Sequence, residues 1–226
     1  MKKWENLPEA LKNEEVKPYY KALKSKGFSL FLKRAFDIIA SSVLLILLSP
    51  VMLVLAILIK CDSKGPVFYK STRVTRYNKD FQIYKFRTMV INADKNGALI
   101  TVSGDSRITR IGAKIRGSRL DEIPQLINVF LGQMSFVGTR PEVRRYVDMY
   151  TPEMRATLLL PAGITSKASL AFRDEDEKMA ELTEKGMSVD EAYVNHILPQ
   201  KMKMNLEYIE NFSFMEDITS CIKTVF

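Results

Sequence analysis

Two adjacent carboxylates, Asp121 and Glu122, stand at the start of the stretch LDEIPQLINVFLG. Asp121 is a favourable N-cap residue, Pro124 falls in the first helical turn, where its missing N–H costs little, and Gly132 is a typical helix stop. The pattern predicts that both acids lie at a helix N-terminus. Because unpaired N–H groups and the helix dipole favour anions there, we expect Asp121 to be stabilised as a carboxylate.

Arginines surround this acidic pair in the sequence: Arg116 and Arg119 precede it and Arg140 follows it. Carboxylates with cations nearby can hold Mg²⁺ and a diphosphate together. Similar acidic pairs occur elsewhere in the chain and are most simply hydrated helix caps. A purely structural role for Asp121 and Glu122 therefore stays open on this evidence.

Two further cations, Lys85 and Arg87, flank an aromatic residue in the β-branched and aromatic run of residues 80–89. A similar run covers residues 65–74, and the turn-prone TRYNK separates the two, which predicts a β-hairpin. Spacing alone also allows Lys85 and Arg87 to be solvated strand residues.

The element that must position these groups is an apolar segment from Ile38 to Ile59, whose 22 residues carry no charge. A bilayer core of roughly 30 Å needs about 20 apolar residues in a straight helix. Pro50 lies near the middle, where it deletes the backbone bond to Ile46 and predicts a bend. The preceding Ser49 could hydrogen-bond backwards and partly satisfy the freed group.

Basic residues flank both ends of the segment, and such residues favour the cytoplasm. A bent helix that enters and leaves by the same face satisfies both ends, because the 12 residues from Ile38 to Ser49 span only about 18 Å. A kinked full span and a buried core helix are the alternatives. The flanking basic residues are Lys21, Lys24, Lys26, Lys33, Arg34, Lys60, Lys64, Lys70 and Arg73.

The remaining patterns predict an α+β fold that is predominantly helical, in three parts. Residues 1–28 form an N-terminal appendage, with a short helix around residues 9–17 that could lie on the membrane surface. Residues 29–60 form the membrane helix, and residues 61–226 form a cytoplasmic domain of short helices. Within it, residues 161–169 are predicted to be a loop.

Composition narrows the classes of function. The 226 residues are 46% hydrophobic, with a net charge of +8 and a pI near 9.4. Two distant cysteines and one histidine make a disulfide framework or a zinc site improbable. No cleavable signal is evident. The basic excess could serve nucleic acid, anionic lipid or a phosphorylated substrate, and the apolar segment favours lipid and phosphate.

An ordered set of short motifs resembles the bacterial sugar transferase family. The set comprises KRAFD, the Ser49–Pro50 break, GPVFYKSTRV, YKFRTM, GDSRITRIG, LDEIPQLINVFLGQMSFVGTRPE and YIENFSFMEDI, and it covers the chain from Ser29 onward. The family contains the monotopic phosphoglycosyl transferases that begin capsule, exopolysaccharide, O-antigen and glycoprotein glycan assembly. The short N-terminal part resembles the small, minimal-domain members.

The resemblance implies a re-entrant helix broken at Ser49–Pro50. It also implies the following reaction. A UDP-sugar gives its sugar-phosphate to polyprenyl (undecaprenyl) phosphate, which forms polyprenyl-diphospho-sugar and UMP. By resemblance, Asp121 is the nucleophile that carries the phosphosugar. Asp121 and Glu122 are the expected Mg²⁺ ligands, with positioning of the acceptor as the alternative role of Glu122. Arg116 and Arg140 match family arginines near the phosphates, and Lys85 and Arg87 match a basic pair near the active site.

The resemblance also implies the cytoplasmic face of the bacterial inner membrane, with membrane lipid and downstream glycosyltransferases as partners. The C-terminal helices leave room for a homodimer. A rival from another class is a non-catalytic membrane scaffold that recruits other glycan enzymes. A nucleic-acid-binding protein is a remote second rival, because the sequence contains no recognisable reading motif.

Overall fold

The computed structural model describes residues 1–91, 93, 107–172 and 174–225, and these form an α+β fold that is mostly helical, as predicted. The strands are β1 (Phe68–Thr75), β2 (Lys79–Phe86), β3 (Met134–Val137) and β4 (Ala162–Thr165). The α-helices are α1 (Val16–Ser25), α2 (Gly27–Asp62), α3 (Arg110–Gly117), α4 (Gln125–Phe130), α5 (Arg144–Asp148), α6 (Lys167–Ala171), α7 (Glu175–Glu184), α8 (Val189–Ala192), α9 (Leu198–Glu210) and α10 (Phe214–Val225).

The long helix α2 contains the predicted apolar segment and is long and apolar enough to cross a membrane. Its 36 residues extend over about 54 Å. The expected break at Ser49–Pro50 is not an interruption of the helix, because helical structure continues on both sides of Pro50. The Ser49 hydroxyl donates a 2.8 Å hydrogen bond to the carbonyl of Ile46, the group that Pro50 leaves without an N–H donor.

Only one face of α2 is buried. Its fully buried residues, Lys33, Asp37, Ser41, Leu55 and Ile59, follow a spacing that returns to the same side of a helix. Most of the remaining circumference is apolar and exposed. The large exposed apolar residues are Phe28, Phe31, Ile38, Ile39, Val43, Ile46, Leu47, Val51, Leu53, Val54, Ile57 and Leu58.

Both ends of that face are attached to the rest of the chain. Near its beginning, Lys33 Nζ donates to the carbonyl of Val137 at 2.7 Å and pairs with a carboxylate oxygen of Asp217 at 2.6 Å. At its end, a carboxylate oxygen of Asp62 accepts the backbone N–H of Ile111 at 2.9 Å. The helix therefore runs along the domain rather than away from it.

The N-terminal segment differs from the predicted appendage. It consists of two short 3₁₀ turns followed by α1, and no helix spans residues 9–17. Leu11, Val16 and Leu23 are fully buried in the main core, which also contains Met202 of α9. Burial of these apolar side chains stabilises the packing of the segment against the main core. The charged, proline-interrupted sequence of the segment does not predict this packing.

The two sheets divide into one that was predicted and one that was not. The hairpin is confirmed, with β1 and β2 antiparallel and Tyr69 opposite Lys85. Residues 161–169, predicted as a loop, contain β4, which pairs in parallel with β3. Gly138 and Gly163 permit close contact beside this pair, since a Cβ at Gly163 would lie 2.2 Å from the Gly138 nitrogen.

Candidate active site

Asp121 lies in a 3₁₀ turn, Leu120–Glu122, rather than at the predicted N-cap of α4. The chain enters this turn through Arg119, whose φ of 54° is in the left-handed region. Such strained backbone is frequent at functional sites. Pro124 occupies the N-cap position of α4 instead.

Apolar neighbours of Asp121 attach its turn to the membrane helix. Leu120 and Ile123 pack against a buried cluster that includes Leu55 and Ile59 of α2 and Phe86 of β2. The turn that carries Asp121 is therefore attached to α2 through Leu120 and Ile123.

The end of α4 and the hairpin are locked together by Asn128, which is fully buried. Its side chain accepts the Tyr84 N–H at 3.0 Å and donates to the Gln82 carbonyl at 2.7 Å. The helix then stops at Gly132, as predicted: Gly132 has a φ of 76°, and the Gln133 N–H returns to the Asn128 carbonyl. These contacts fix the distance between the Asp121 turn and β2.

Lys85 of β2 is the cation closest to the acidic pair. Its Nζ lies 2.6 Å from Glu122 Oε1 and 3.9 Å from Asp121 Oδ2. Arg140 approaches the same Glu122 oxygen at 3.6 Å. The structure thus brings four predicted site residues together around the Asp121 turn.

The two carboxyl groups have opposite pKa shifts. Burial raises the pKa of Asp121, and Glu122 adds to this shift, while Lys85 and Arg116 oppose it. The expectation that Asp121 is stabilised as an anion is therefore wrong, because desolvation outweighs the nearby cations. Burial also acts to raise the pKa of Glu122, but Lys85 and Arg140 hold it below its usual range.

A cavity of about 520 Å³ opens beside Asp121. Among the described residues that line it, Asp121 is the only carboxylate, and the basic residues are Lys70, Arg73, Lys85, Arg87 and Arg116. This size is typical of small-ligand sites. The cavity can accept an anionic ligand and present one carboxylate to it.

Arg73 is a site residue that the sequence interpretation treated only as a membrane-flanking charge. In the hairpin register, Tyr69 faces Lys85, and Arg73 faces Phe81. Because side chains alternate along a strand, Tyr69, Arg73 and Lys85 share one face of the hairpin. The register of the hairpin therefore identifies Arg73 as a residue on the same face as Lys85, which the residue types alone do not.

Arg87 lines the cavity, and its guanidinium also contacts the chain beyond the end of α2. Its guanidinium donates to the carbonyl of Lys64 at 2.7 Å, and to the carbonyl and hydroxyl of Ser63 at 2.7 Å and 2.9 Å. These groups follow the end of α2, where carbonyls lack helical partners. Arg87 is 6% exposed and holds the end of the membrane helix on the hairpin.

The donor set is compatible with Mg²⁺ only if a ligand supplies further oxygens. No group of three or more metal-binding side chains occurs in the part of the chain that the structure describes. Asp121 and Glu122 offer two carboxylates, and Glu122 already contacts Lys85. Magnesium is commonly bound by one or two carboxylates together with substrate phosphates, so the site fits a metal that arrives with a diphosphate.

Comparison with known proteins agrees with the resemblance. A UDP-N-acetylgalactosamine-undecaprenyl-phosphate N-acetylgalactosaminephosphotransferase from Aeromonas hydrophila is 38% identical over 86% of this chain and 43% of its own length. A UDP-glucose:undecaprenyl-phosphate glucose-1-phosphate transferase from Klebsiella pneumoniae is 35% identical over 88% of this chain and 40% of its length. An exopolysaccharide production protein from Rhizobium leguminosarum is 52% identical over 49% of this chain and 56% of its length.

The chain thus spans about half the length of these curated relatives. The sequence pattern of the family described as bacterial sugar transferase matches residues 28–226, which include α2, the hairpin and the Asp121 turn. This chain belongs to the bacterial sugar transferase family.

Proposed function

We propose that this protein is a phosphoglycosyl transferase that moves a sugar-1-phosphate from a UDP-sugar to undecaprenyl phosphate, with release of UMP. The observation that carries the proposal is the placement of Asp121. It is the only carboxylate among the described residues that line a cationic cavity, and its turn packs on an apolar helix. The names of the relatives, which act on undecaprenyl phosphate, support the same reaction class.

In the first half-reaction, a carboxylate oxygen of Asp121 attacks the β-phosphorus of the UDP-sugar. A bond forms between this oxygen and phosphorus, the bond to the UMP oxygen breaks, and UMP leaves with the electron pair. Arg116 and Lys85 bind the phosphate oxygens beside Asp121, because guanidinium and ammonium groups stabilise the charge that develops there. Arg73 extends the same cationic wall.

In the second half-reaction, a phosphate oxygen of undecaprenyl phosphate attacks the phosphorus held on Asp121. The bond from Asp121 to phosphorus breaks, which restores the carboxylate and releases polyprenyl-diphospho-sugar. Glu122, kept ionised by Lys85 and Arg140, would hold Mg²⁺ together with Asp121. Magnesium would neutralise diphosphate charge and orient the phosphates.

The geometry of α2 explains how a soluble and a lipid substrate could reach one carboxylate. Exposed apolar side chains cover most of α2, and the Asp121 turn packs against its buried face. We place α2 in the cytoplasmic leaflet of the bacterial inner membrane, with both ends on the cytoplasmic side. The lipid phosphate then meets Asp121 at headgroup depth, while the UDP-sugar enters from the cytoplasm.

The decisive assay supplies the purified protein with Mg²⁺, undecaprenyl phosphate and a panel of UDP-sugars, and measures UMP. We expect one or a few sugars to give UMP. Asp121→Asn should lower turnover by at least about a thousandfold, as expected when a covalent nucleophile is removed. Without the lipid acceptor, mass spectrometry should detect a phosphosugar on a peptide that contains Asp121.

The matched control is Asp148→Asn, since Asp148 is an exposed carboxylate on α5 outside the cavity. It should retain wild-type turnover. Full activity of Asp121→Asn would contradict the mechanism. Binding of a UDP-sugar without UMP release by the wild type would indicate the non-catalytic scaffold instead.

A further inference from the structure

A second cavity, of about 400 Å³, lies beside the first turns of α2 and shares no lining residue with the active-site cavity. Tyr20, Leu23 and Leu160, which are buried in the main core, form part of its wall. Leu30 and Phe31 of α2 form another part, and Phe31 is 67% exposed. The cavity is therefore built on the core but continues onto the apolar surface of the membrane helix.

The cavity is strongly basic. Lys33 and Arg34 line it but already bind backbone carbonyls, and its one acidic residue, Asp37, accepts hydrogen bonds from Ser135 and Phe136. Four other basic side chains line it without an ion pair to any described carboxylate. They are Lys2, Lys3, Lys24 and Arg76.

The N-terminal arm that carries two of these lysines is fixed in place. The Lys2 N–H donates to the Tyr77 hydroxyl at 2.9 Å, and the Tyr20 hydroxyl donates to the Lys2 carbonyl at 3.1 Å. Trp4 packs edge-on against Tyr20 with ring centroids 5.1 Å apart. The position of Lys2 and Lys3 beside the cavity is thus set before any ligand binds, which lowers the entropic cost of binding.

Arg76 supplies the most rigid of the four cations. Its Nε donates to the Leu159 carbonyl at 3.1 Å, and its guanidinium lies 4.5 Å from the centroid of the Tyr77 ring. The guanidinium is held over the ring without a carboxylate among the described residues. A partly buried guanidinium of this kind is well suited to phosphate oxygens.

We propose that this cavity binds the phosphate of an anionic membrane phospholipid, with the acyl chains lying along Leu30, Phe31 and the exposed face of α2. Unpaired cations attract the phosphate, and the apolar rim accepts the chains, so the cavity matches both parts of such a lipid. A soluble phosphate ester would leave the apolar rim unused. This site is separate from the Asp121 cavity and does not depend on the proposed reaction.

Trp4 provides an intrinsic probe, because it is the one tryptophan of the chain and contacts Tyr20 in the cavity wall. The full-length protein is placed in mixed detergent micelles that contain phosphatidylglycerol or phosphatidylcholine with brominated acyl chains. We expect phosphatidylglycerol to quench Trp4 fluorescence at a much lower mole fraction than phosphatidylcholine. Equal quenching by the two lipids would overturn the proposal.

The variant Lys3→Glu/Lys24→Glu tests the cations directly. It should weaken the phosphatidylglycerol response by at least about tenfold, since each basic residue near an anionic lipid contributes several-fold in affinity. Lys21→Glu/Lys203→Glu makes the same change of net charge on exposed lysines outside the cavity and should respond like the wild type. An equal loss in both double variants would show only general attraction to negative charge and would refute the site.

Two further measurements keep the test decisive. Lys3→Gln/Lys24→Gln removes the charges without reversing them and should give an intermediate loss while the fold, followed by circular dichroism, is unchanged. Inorganic phosphate added in large excess should leave the quenching by phosphatidylglycerol largely intact. If phosphate abolishes it and itself binds with equal affinity, the cavity is a soluble-phosphate site and the lipid assignment is wrong.

Discussion

Lys85 links the two carboxyl groups of the candidate active site. It contacts Glu122 at 2.6 Å and stands 3.9 Å from Asp121, so its charge acts on both pKa values in the same direction. For Glu122, the cations lower the pKa by more than burial raises it. For Asp121, burial raises the pKa by more than the cations lower it, and Lys85 only limits the rise. If Asp121 is the nucleophile, as we propose, its weak solvation keeps it reactive, but it is more easily protonated than an ordinary aspartate.

Lys85→Met should therefore move the acidic limb of the pH profile. Without Lys85 the pKa of Asp121 rises further, so at mildly acidic pH a smaller fraction of the protein has Asp121, the proposed nucleophile, ionised. We expect the ratio of kcat/KM at pH 6 to that at pH 8 to fall below the wild-type ratio, in addition to a general loss of activity. The measurement is kcat/KM across this pH range, which reports the free protein.

Lys85→Arg is the matched control, because it keeps a positive charge at this position. Its acidic limb should lie close to that of the wild type, although the different shape of the guanidinium lowers activity at every pH. If Lys85→Met loses activity by the same factor at all pH values, Lys85 contacts substrate without controlling the ionisation of Asp121.

Helix α2 is held at its C-terminal end by Arg87, whose guanidinium reaches carbonyls of Ser63 and Lys64 just beyond the helix. At the same level, Leu55 and Ile59 pack on Phe86. The hairpin is thus both the wall of the active-site cavity and the support for the membrane helix. A change in how α2 sits in lipid would be transmitted to the face that carries Lys85.

We expect Arg87→Lys to destabilise the fold more than it affects substrate affinity. Lysine cannot reproduce the fork of hydrogen bonds to the carbonyls of Ser63 and Lys64, and hydrogen bonds from a charged group contribute about 1.5–3 kcal/mol. The midpoint of urea denaturation should fall, while KM for the UDP-sugar in the folded protein changes little. The reverse result, with unchanged stability and a large rise in KM, would restore Arg87 to the substrate-binding role that the sequence predicts.

The beginning of α2 is held by a buried ion pair between Lys33 and Asp217 of α10. The Tyr208 hydroxyl also donates a hydrogen bond to Asp217, at 2.8 Å. Lys33→Met leaves the Asp217 carboxylate buried without its cation, which typically costs about 3–5 kcal/mol. Lys33→Met/Asp217→Asn removes both charges and should recover much of this loss. Urea denaturation of the single and double variants measures the coupling between the two positions.

The pH dependence of Lys33→Met has a definite sign. Burial already raises the pKa of Asp217, and Lys33 opposes that shift. Without Lys33 the folded protein binds a proton on Asp217 more readily than the unfolded chain, so stability should be regained as the pH falls toward the raised pKa of Asp217. A loss of stability that is independent of pH would mean that packing of the Lys33 side chain matters more than its charge.

The sequence predicts elements whose signals are local and misses those that depend on distant partners. Alternating residues predict the hairpin, and Gly132 predicts the end of α4, because both signals lie within a few residues. The parallel pair β3 and β4 brings Ser135 opposite Gly163, which no local pattern predicts. The rise in the pKa of Asp121 likewise depends on burial in the folded chain, so an expectation based on neighbouring charges alone has the opposite sign.

Both ends of the membrane helix α2 are attached to the same folded domain. Lys33 is tied to β3 and α10, and Asp62, 29 residues later, is tied to the start of α3. These residues lie about 44 Å apart along a straight helix. If α2 crossed the bilayer, the polar domain that binds both ends would have to enter the hydrocarbon core. The cost of burying its charged groups there argues against this arrangement.

Cysteine accessibility tests this topology on the intact protein. Cys61 is exposed near the end of α2, and Ser25→Cys adds a second exposed site just before α2. Burial raises the pKa of the Cys221 thiol to about 11, so this third cysteine reacts slowly, and Cys221→Ser removes it entirely. If both ends lie on the cytoplasmic face, as we propose, a membrane-impermeant maleimide should label positions 25 and 61 in inside-out vesicles and neither position in intact cells. Labelling of one position from each side of the membrane would establish a full span, and the attachments of Lys33 and Asp62 to one domain could not then coexist in the bilayer.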